Sequence, residues 1–237
     1  MDESMKDLLV FPHLGLGDLL VCNGLIRTLS KTAKCWAMVR PRNAETARFM
    51  WRDNHNIELI VLTGNFEEQE ERAQSFFDYA AKNGKKTIGL GIWGSKPFDI
   101  GNWDVEMYRQ AGVDWKDRWN NFRVDRQESR EFELPGKKYV FVHEDKERGF
   151  AIDPTKLPKN RKIVRPEPRP SKDGGEPNLF DWWDTIEHAE EIHVIDSAFL
   201  CMIDSLPFLN AKRLVFHQYA RPDGKPPHTV KDWERIK

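Results

Sequence analysis

Short apolar runs alternate with amphipathic stretches along almost the whole of this 237-residue chain, and that alternation is what most narrows its fold. A short, wholly apolar run reads as a strand covered on both faces, whereas an amphipathic stretch has one stripe to bury. Strands and helices taken in turn around a parallel sheet satisfy both demands. In the first half the expected strands are Leu8 to Phe11, Cys35 to Val39, Ile57 to Leu62 and Thr87 to Ile92. Between them, Asp18 to Ser30, Ala44 to Asp53 and Phe66 to Asn83 carry apolar residues at helical spacing. The second half repeats the plan, with strands at Tyr139 to His143, Lys162 to Arg165, Ile192 to Asp196 and Leu214 to His217, and helices at Leu179 to Glu190 and Ser197 to Leu206.

The expected fold class is therefore α/β, with two compact Rossmann-like domains whose sheets are mainly parallel. From Asp99 to Gly136 the chain is dense in Trp, Arg and acids without strand alternation, as in a helical connector. Trp103, Trp115 and Trp119 would pin that connector to the sheets. The division is expected at Leu134-Pro135-Gly136, giving residues 1–134, with the connector at about 99–134, and residues 135–237. A proline-rich stretch, Arg165 to Pro177, contains Gly174-Gly175 and reads as a loop.

Charge excludes several partners. Lys plus Arg is 37 against 38 for Asp plus Glu, so there is no overall attraction to a nucleic-acid backbone or an anionic membrane. No apolar run approaches the twenty or so residues that a membrane-spanning helix needs. Cys22, Cys35 and Cys201 lie in apolar surroundings, and their number and spacing suit neither a disulfide framework nor a zinc site. Buried free thiols, and a charged stretch from Met1 to Lys6 unlike a secretory signal, give a cytoplasmic expectation.

Two loops attract attention. Pro12-His13-Leu14-Gly15-Leu16-Gly17-Asp18 joins a buried strand to an amphipathic helix, where doubly wound folds bind ligands. Gly15 and Gly17 permit close approach to the backbone. A dinucleotide fingerprint would need glycine where Leu20 stands and an acid where Arg40 and Pro41 stand, and no Walker sequence opens the helix. Asp18 is then either a helix cap or a functional carboxylate beside His13. Asn23, polar in an apolar helix, either faces solvent or contacts a ligand.

In the second half, Tyr139 to Val142 runs into His143, Glu144, Asp145, Lys146, Glu147 and Arg148, so a strand ends in a charge cluster. Ile192 to Asp196 is followed by Ser197 opening an apolar helix, which offers an N-cap and backbone amides suited to an anion. Lys146 or Arg148 near those amides would complete a diphosphate pocket. Alternatively Arg148 pairs with Glu147 or Asp153, and Ser197 only caps. His143, Glu144 and Asp145 make a poor metal site, because neighbours on a strand point to opposite faces.

The run Gly15-Leu16-Gly17-Asp18-Leu19-Leu20-Val21-Cys22-Asn23-Gly24-Leu25-Ile26-Arg27 resembles the opening of GT-B type glycosyltransferases, the heptosyltransferase-like group included, where a Gly-Asp pair follows the first strand. Tyr139 to Asp145 with Arg148, and Ile195-Asp196-Ser197-Ala198-Phe199 with Asp204-Ser205-Leu206, are similar to donor-domain motifs of bacterial and viral glycosyltransferase-like proteins. The resemblance implies two domains facing across a cleft, with a glycan or other hydroxyl acceptor on the first and a nucleotide-sugar on the second. It implies Asp18 as base, helped by His13, with Gly15, Gly17 and Asn23 near the acceptor. Donor binding would fall to His143, Glu144, Lys146, Arg148, Asp196, Ser197 and Ala198, with no metal or other cofactor and inversion at the sugar. The alternative is a catalytically inactive, transferase-like protein that binds a glycan or nucleotide.

Overall fold

A computed structural model of the chain describes residues 6–12, 15–94 and 96–237. It divides into two compact units, Met1–Asp125 and Arg126–Lys237, each built on one parallel sheet.

The first unit runs β1 (Lys6–Phe11), α1 (Leu16–Val21), α2 (Asn23–Leu29), β2 (Ala33–Val39), α3 (Pro41–Trp51), β3 (Ile57–Val61), α4 (Phe66–Lys82) and β4 (Lys86–Gly89). Its strand order is β3-β2-β1-β4, with Leu8 opposite Cys35 and Val10 opposite both Ala37 and Ile88. Leu9 and Phe11 pack with Met38, Leu62 and, from α4, Ala73 and Ala80. Leu8 and Val10, which alternate with them, are also buried, so β1 is covered on both faces.

The single helix expected over Asp18 to Ser30 is instead two helices with a break at Cys22. The cause is Tyr108, whose buried hydroxyl donates to the Val21 carbonyl (2.8 Å) and accepts from the Leu25 amide (3.1 Å). It takes the place of the helical bond between those two groups, a recognised way to kink a helix. Gly24 lies so close to the Asp117 carbonyl that a Cβ there would overlap it. The fourth strand also stops earlier than the expected Ile92. Gly91 adopts φ 67°, and its backbone is tied at both ends to the Gln110 side chain, so the chain turns out of the sheet.

Two further helices, α5 (Trp103–Ala111) and α6 (Asp117–Asn120), fill the connector. Two of its tryptophans meet other connector residues: Trp115 packs edge-on against Tyr108 and Trp119, and both indoles lie against the guanidinium of Arg118. Arg118 is fully buried and bonds Asp104 at 2.6 Å.

The second unit runs β5 (Tyr139–His143), β6 (Lys162–Val164), α7 (Trp183–Glu187), β7 (Glu191–Val194), α8 (Ala198–Ser205), β8 (Arg213–His217) and β9 (Glu234–Ile236), in the order β6-β5-β7-β8-β9. Val140, Val142, Ile152, Ile195 and Ala220 form a core cluster, while Phe141 faces Trp182 and Phe199. Residues 126–134 belong to this unit because Arg126 grips Glu131, Asp184 and Glu187, and Arg130 binds Asp181.

Three expectations change here. The helix expected from Leu179 to Glu190 begins as a 3-10 turn, held by reciprocal bonds between Asn178 and Asp181, and ends early because the Glu190 amide donates to Tyr139. The strand expected to reach Asp196 leaves the ladder after Val194. The edge strand β9 was not expected, since its polar residues need only one partner, Arg213 of β8 holding Glu234 at 2.8 Å. All three cysteines are buried and free; burial pushes the Cys35 thiol up to about 11. Among the described residues no helix is long and apolar enough to cross a membrane.

Candidate functional site

In the first unit β2 and β3 lie to one side of β1 and β4 to the other. The loop leaving the carboxyl end of β1 therefore occupies the switch point of the sheet, where open α/β folds bind ligands. Asp18 stands in the first turn of α1, half-buried, and its Oδ2 accepts from the Gly15 amide at 3.0 Å. A side chain at Gly15 would run into that carboxylate. The cap expected of Asp18 is thus present, and it also fixes the carboxylate at the switch point. Gly17 lies in the same turn. His13 lies outside the described residues. Asn23 is fully buried rather than facing solvent: its Oδ1 accepts from the Arg123 amide and its Nδ2 donates to the Arg123 carbonyl. Its amide is thereby occupied with the connector backbone.

The second unit switches between β5 and β7, because β6 lies beyond β5 and β8 beyond β7. His143 ends β5 and Ser197 opens α8, and the two meet, Ser197 Oγ to His143 Nδ1 at 3.1 Å. Ser197 was expected to cap α8, but its hydroxyl turns to the imidazole and accepts none of the first-turn amides. Phe199 packs on the same ring at 4.5 Å. Burial pushes the His143 imidazole down to about 4, so it is neutral at neutral pH and binds by hydrogen bonding. Ala198 begins α8 itself.

The charged residues that follow β5 are locally paired. Glu144 accepts from the Ile152 amide (2.9 Å), Arg165 (2.7 Å) and Lys146 (3.2 Å). Burial alone would raise this carboxyl, and those three partners outweigh it and hold it below the usual range. Asp145 takes Arg148 at 2.5 Å, so the partner of Arg148 is neither Glu147 nor Asp153. Lys146 and Arg148 are largely exposed. A cation the sequence did not single out stands beside Asp196, the residue before Ser197. Arg221, four residues beyond β8, donates to the Asp196 carbonyl at 2.9 Å, and its guanidinium lies 3.5 Å from the Asp196 carboxylate. The legible signal was its place just past a carboxyl strand end, the same signal that marked the loops after β5 and β7.

Among the described residues, one trio brings metal-ligating atoms together: Asp184, Glu187 and His188, half-buried to exposed. Arg126 already pairs with both carboxylates, at 3.2 and 2.5 Å, so a cation there would compete with a guanidinium. His193 and His217 are buried against each other at 2.9 Å, with His193 Nε2 on Glu191. Burial and the neighbouring His193 push His217 down to about 4.

No family model and no curated protein matches the sequence. Solved structures do match in shape. A family 9 glycosyl transferase from Veillonella parvula aligns with a TM-score of 0.54 at 12% identity, over 100% of this chain and 88% of that one. The iron-containing dodecameric glycosyltransferase TibC from enterotoxigenic E. coli aligns with a TM-score of 0.53 at 12% identity, over 90% of this chain but only 58% of TibC. The heptosyltransferase WaaC from E. coli, solved with ADP-2-deoxy-2-fluoro heptose, gives 0.47 at 10% identity, over 98% and 93% of the two chains. The first two likenesses establish the fold alone, an α/β chain of two parallel-sheet units shared with these two solved glycosyltransferases.

Proposed function

We propose that the protein transfers a sugar from a nucleotide-sugar to a hydroxyl acceptor such as a glycan. The supporting observation is that the Asp18 loop and the His143–Ser197 pair each occupy the switch point of their own sheet, on a fold shared with glycosyltransferases. In this reading the first unit takes the acceptor and the second takes the donor. The Asp18 carboxylate accepts the acceptor hydroxyl proton as that oxygen bonds to the anomeric carbon. The bond from the anomeric carbon to the phosphate oxygen breaks, and its electron pair leaves with the nucleoside diphosphate. A single displacement of this kind inverts the sugar.

Charge on the departing diphosphate is met by the first-turn amides of α8 around Ala198, the Ser197 hydroxyl and the guanidinium of Arg221, with Lys146 and Arg148 as exposed cations nearby. These fixed donors take the place of a metal. His143 bonds the Ser197 hydroxyl, and Glu144, held by Arg165, Lys146 and the Ile152 amide, is assigned in this reading to ribose or sugar hydroxyls. Gly15 and Gly17 let the acceptor approach the backbone, with Asn23 behind them holding Arg123.

Turnover of a nucleotide-sugar panel tests the reading. At least one donor is consumed by the wild type, and Asp18→Asn keeps donor affinity while losing about a hundredfold or more in rate, the scale of general-base catalysis. Equal turnover by Asp18→Asn would remove Asp18 from the mechanism, and donor binding without any turnover would mark a non-catalytic binder.

A further inference from the structure

The first unit carries a concavity at the edge of the sheet opposite to Asp18. Ser30 and Lys31 follow α2, Asn54 and Asn56 precede β3, and Asn121 and Phe122 follow α6; together they line a cavity of about 460 Å³. That volume is within the range of small-molecule sites. The two helices between Asp18 and Lys31 would span at most about 20 Å at the helical rise, and they carry the chain from the switch-point loop to the opposite edge of the sheet.

The lining is held in place by its own bonds. Asn54 and Asn56 donate to the hydroxyl and carbonyl of Ser30 at 2.9 and 3.2 Å, and Asn121 donates to Thr28 at 2.9 Å. Asn23, through its two bonds to Arg123, fixes the backbone that closes the pocket. Charge is uneven. Asp53 pairs with Arg27 at 2.6 Å, and Asp125 with Arg123 at 2.9 Å. Lys31 meets only the neutral Asn121 oxygen at 3.2 Å, with no carboxylate in ion-pair range among the described residues. The buried Arg27 Nε–H, in the same wall, has no hydrogen-bond partner among them either. None of the described lining residues is acidic.

Side-chain amides and a serine hydroxyl suit vicinal hydroxyl groups, the half-buried Phe122 ring suits the C–H face of a pyranose, and an uncompensated ammonium suits one anionic substituent. We propose that this pocket binds a sugar bearing a single anionic group, a carboxylate or a phosphate. The proposal does not rest on the transferase reading, and the two have in common only Asn23 and the Arg123 backbone it holds.

Calorimetric titration of the full chain with glucuronate, glucose 6-phosphate, glucose and inorganic phosphate tests it. One or both anionic sugars bind, and glucose and inorganic phosphate bind at least about tenfold more weakly, the worth of one charge-assisted hydrogen bond. Which anionic sugar binds tighter identifies the substituent. Lys31→Glu weakens the anionic sugars about tenfold or more and leaves glucose unchanged, Lys31→Ala does so less, and Phe122→Ala weakens every sugar but not phosphate. Nucleoside diphosphate binding is unaffected in Lys31→Glu, which separates this site from the donor site. The proposal fails if neither anionic sugar binds, if Lys31→Glu and Lys31→Ala bind them as the wild type does, or if inorganic phosphate binds as tightly as glucose 6-phosphate.

Discussion

Tyr108→Phe removes one oxygen atom and tests why the first helix is broken. The ring is fully buried and fills the same space in either residue, so the substitution opens no large cavity. What it takes away is the acceptor for the Leu25 amide (3.1 Å) and the donor to the Val21 carbonyl (2.8 Å), both in a region from which water is excluded. Each buried backbone group left unpaired costs about 1–3 kcal/mol. Closing the helical bond across Cys22 would recover part of this, but only by moving α1 or α2 against Leu19, Leu20 and Ile26, which are wholly buried. The expected loss is about 2–4 kcal/mol, read as the change in unfolding free energy in urea with an unaltered slope. Because α1 carries Asp18, activity relying on that carboxylate falls as well. A loss below about 1 kcal/mol with unchanged activity would refute the idea that the hydroxyl, rather than the backbone itself, maintains the break.

Asp104→Asn leaves the fully buried Arg118 guanidinium without its counter-charge, and a loss of about 3–5 kcal/mol in urea unfolding is expected; wild-type stability would show that the two indoles alone suffice for the cation. His143 and His217 each titrate near 4 in the folded chain and near 6.5 when unfolded. The unfolded chain therefore binds more protons between those values, so stability falls as pH drops from about 6.5 to 4, by at most about 3 kcal/mol per imidazole. Assigned His143 or His217 resonances titrating near 6.5 in the folded protein would contradict that burial.

Much of the fold was legible because parallel strands covered on both faces must be short and continuously apolar. The eight strand runs correspond to β1 through β8, and the loops after β1, β5 and β7 follow from them. What escaped depends on contacts between distant residues. The helix break needs Tyr108, some eighty-five residues away in sequence, and the early end of β4 needs Gln110 to hold Gly91. The polar edge strand β9 carries no apolar signature at all. Within the site, position was readable and partnership was not. Lys146 and Arg148 looked like phosphate ligands from their place after β5, but whether Glu144 and Asp145 would engage them depends on side-chain directions. Asn23 looked like an exposed or ligand-facing amide, and only the folded connector gives it a backbone to hold.

If the second unit takes the donor, a nucleoside diphosphate binds at the carboxyl edge of its sheet. A crystal of the full chain soaked with UDP or ADP measures it directly. Diphosphate density is expected at the first turn of α8, within hydrogen-bond reach of the Ser197 hydroxyl and the Arg221 guanidinium, with the His143–Ser197 contact retained or handed to a phosphate oxygen. Diphosphate density elsewhere on the chain, with the edge between β5 and β7 empty, would contradict it.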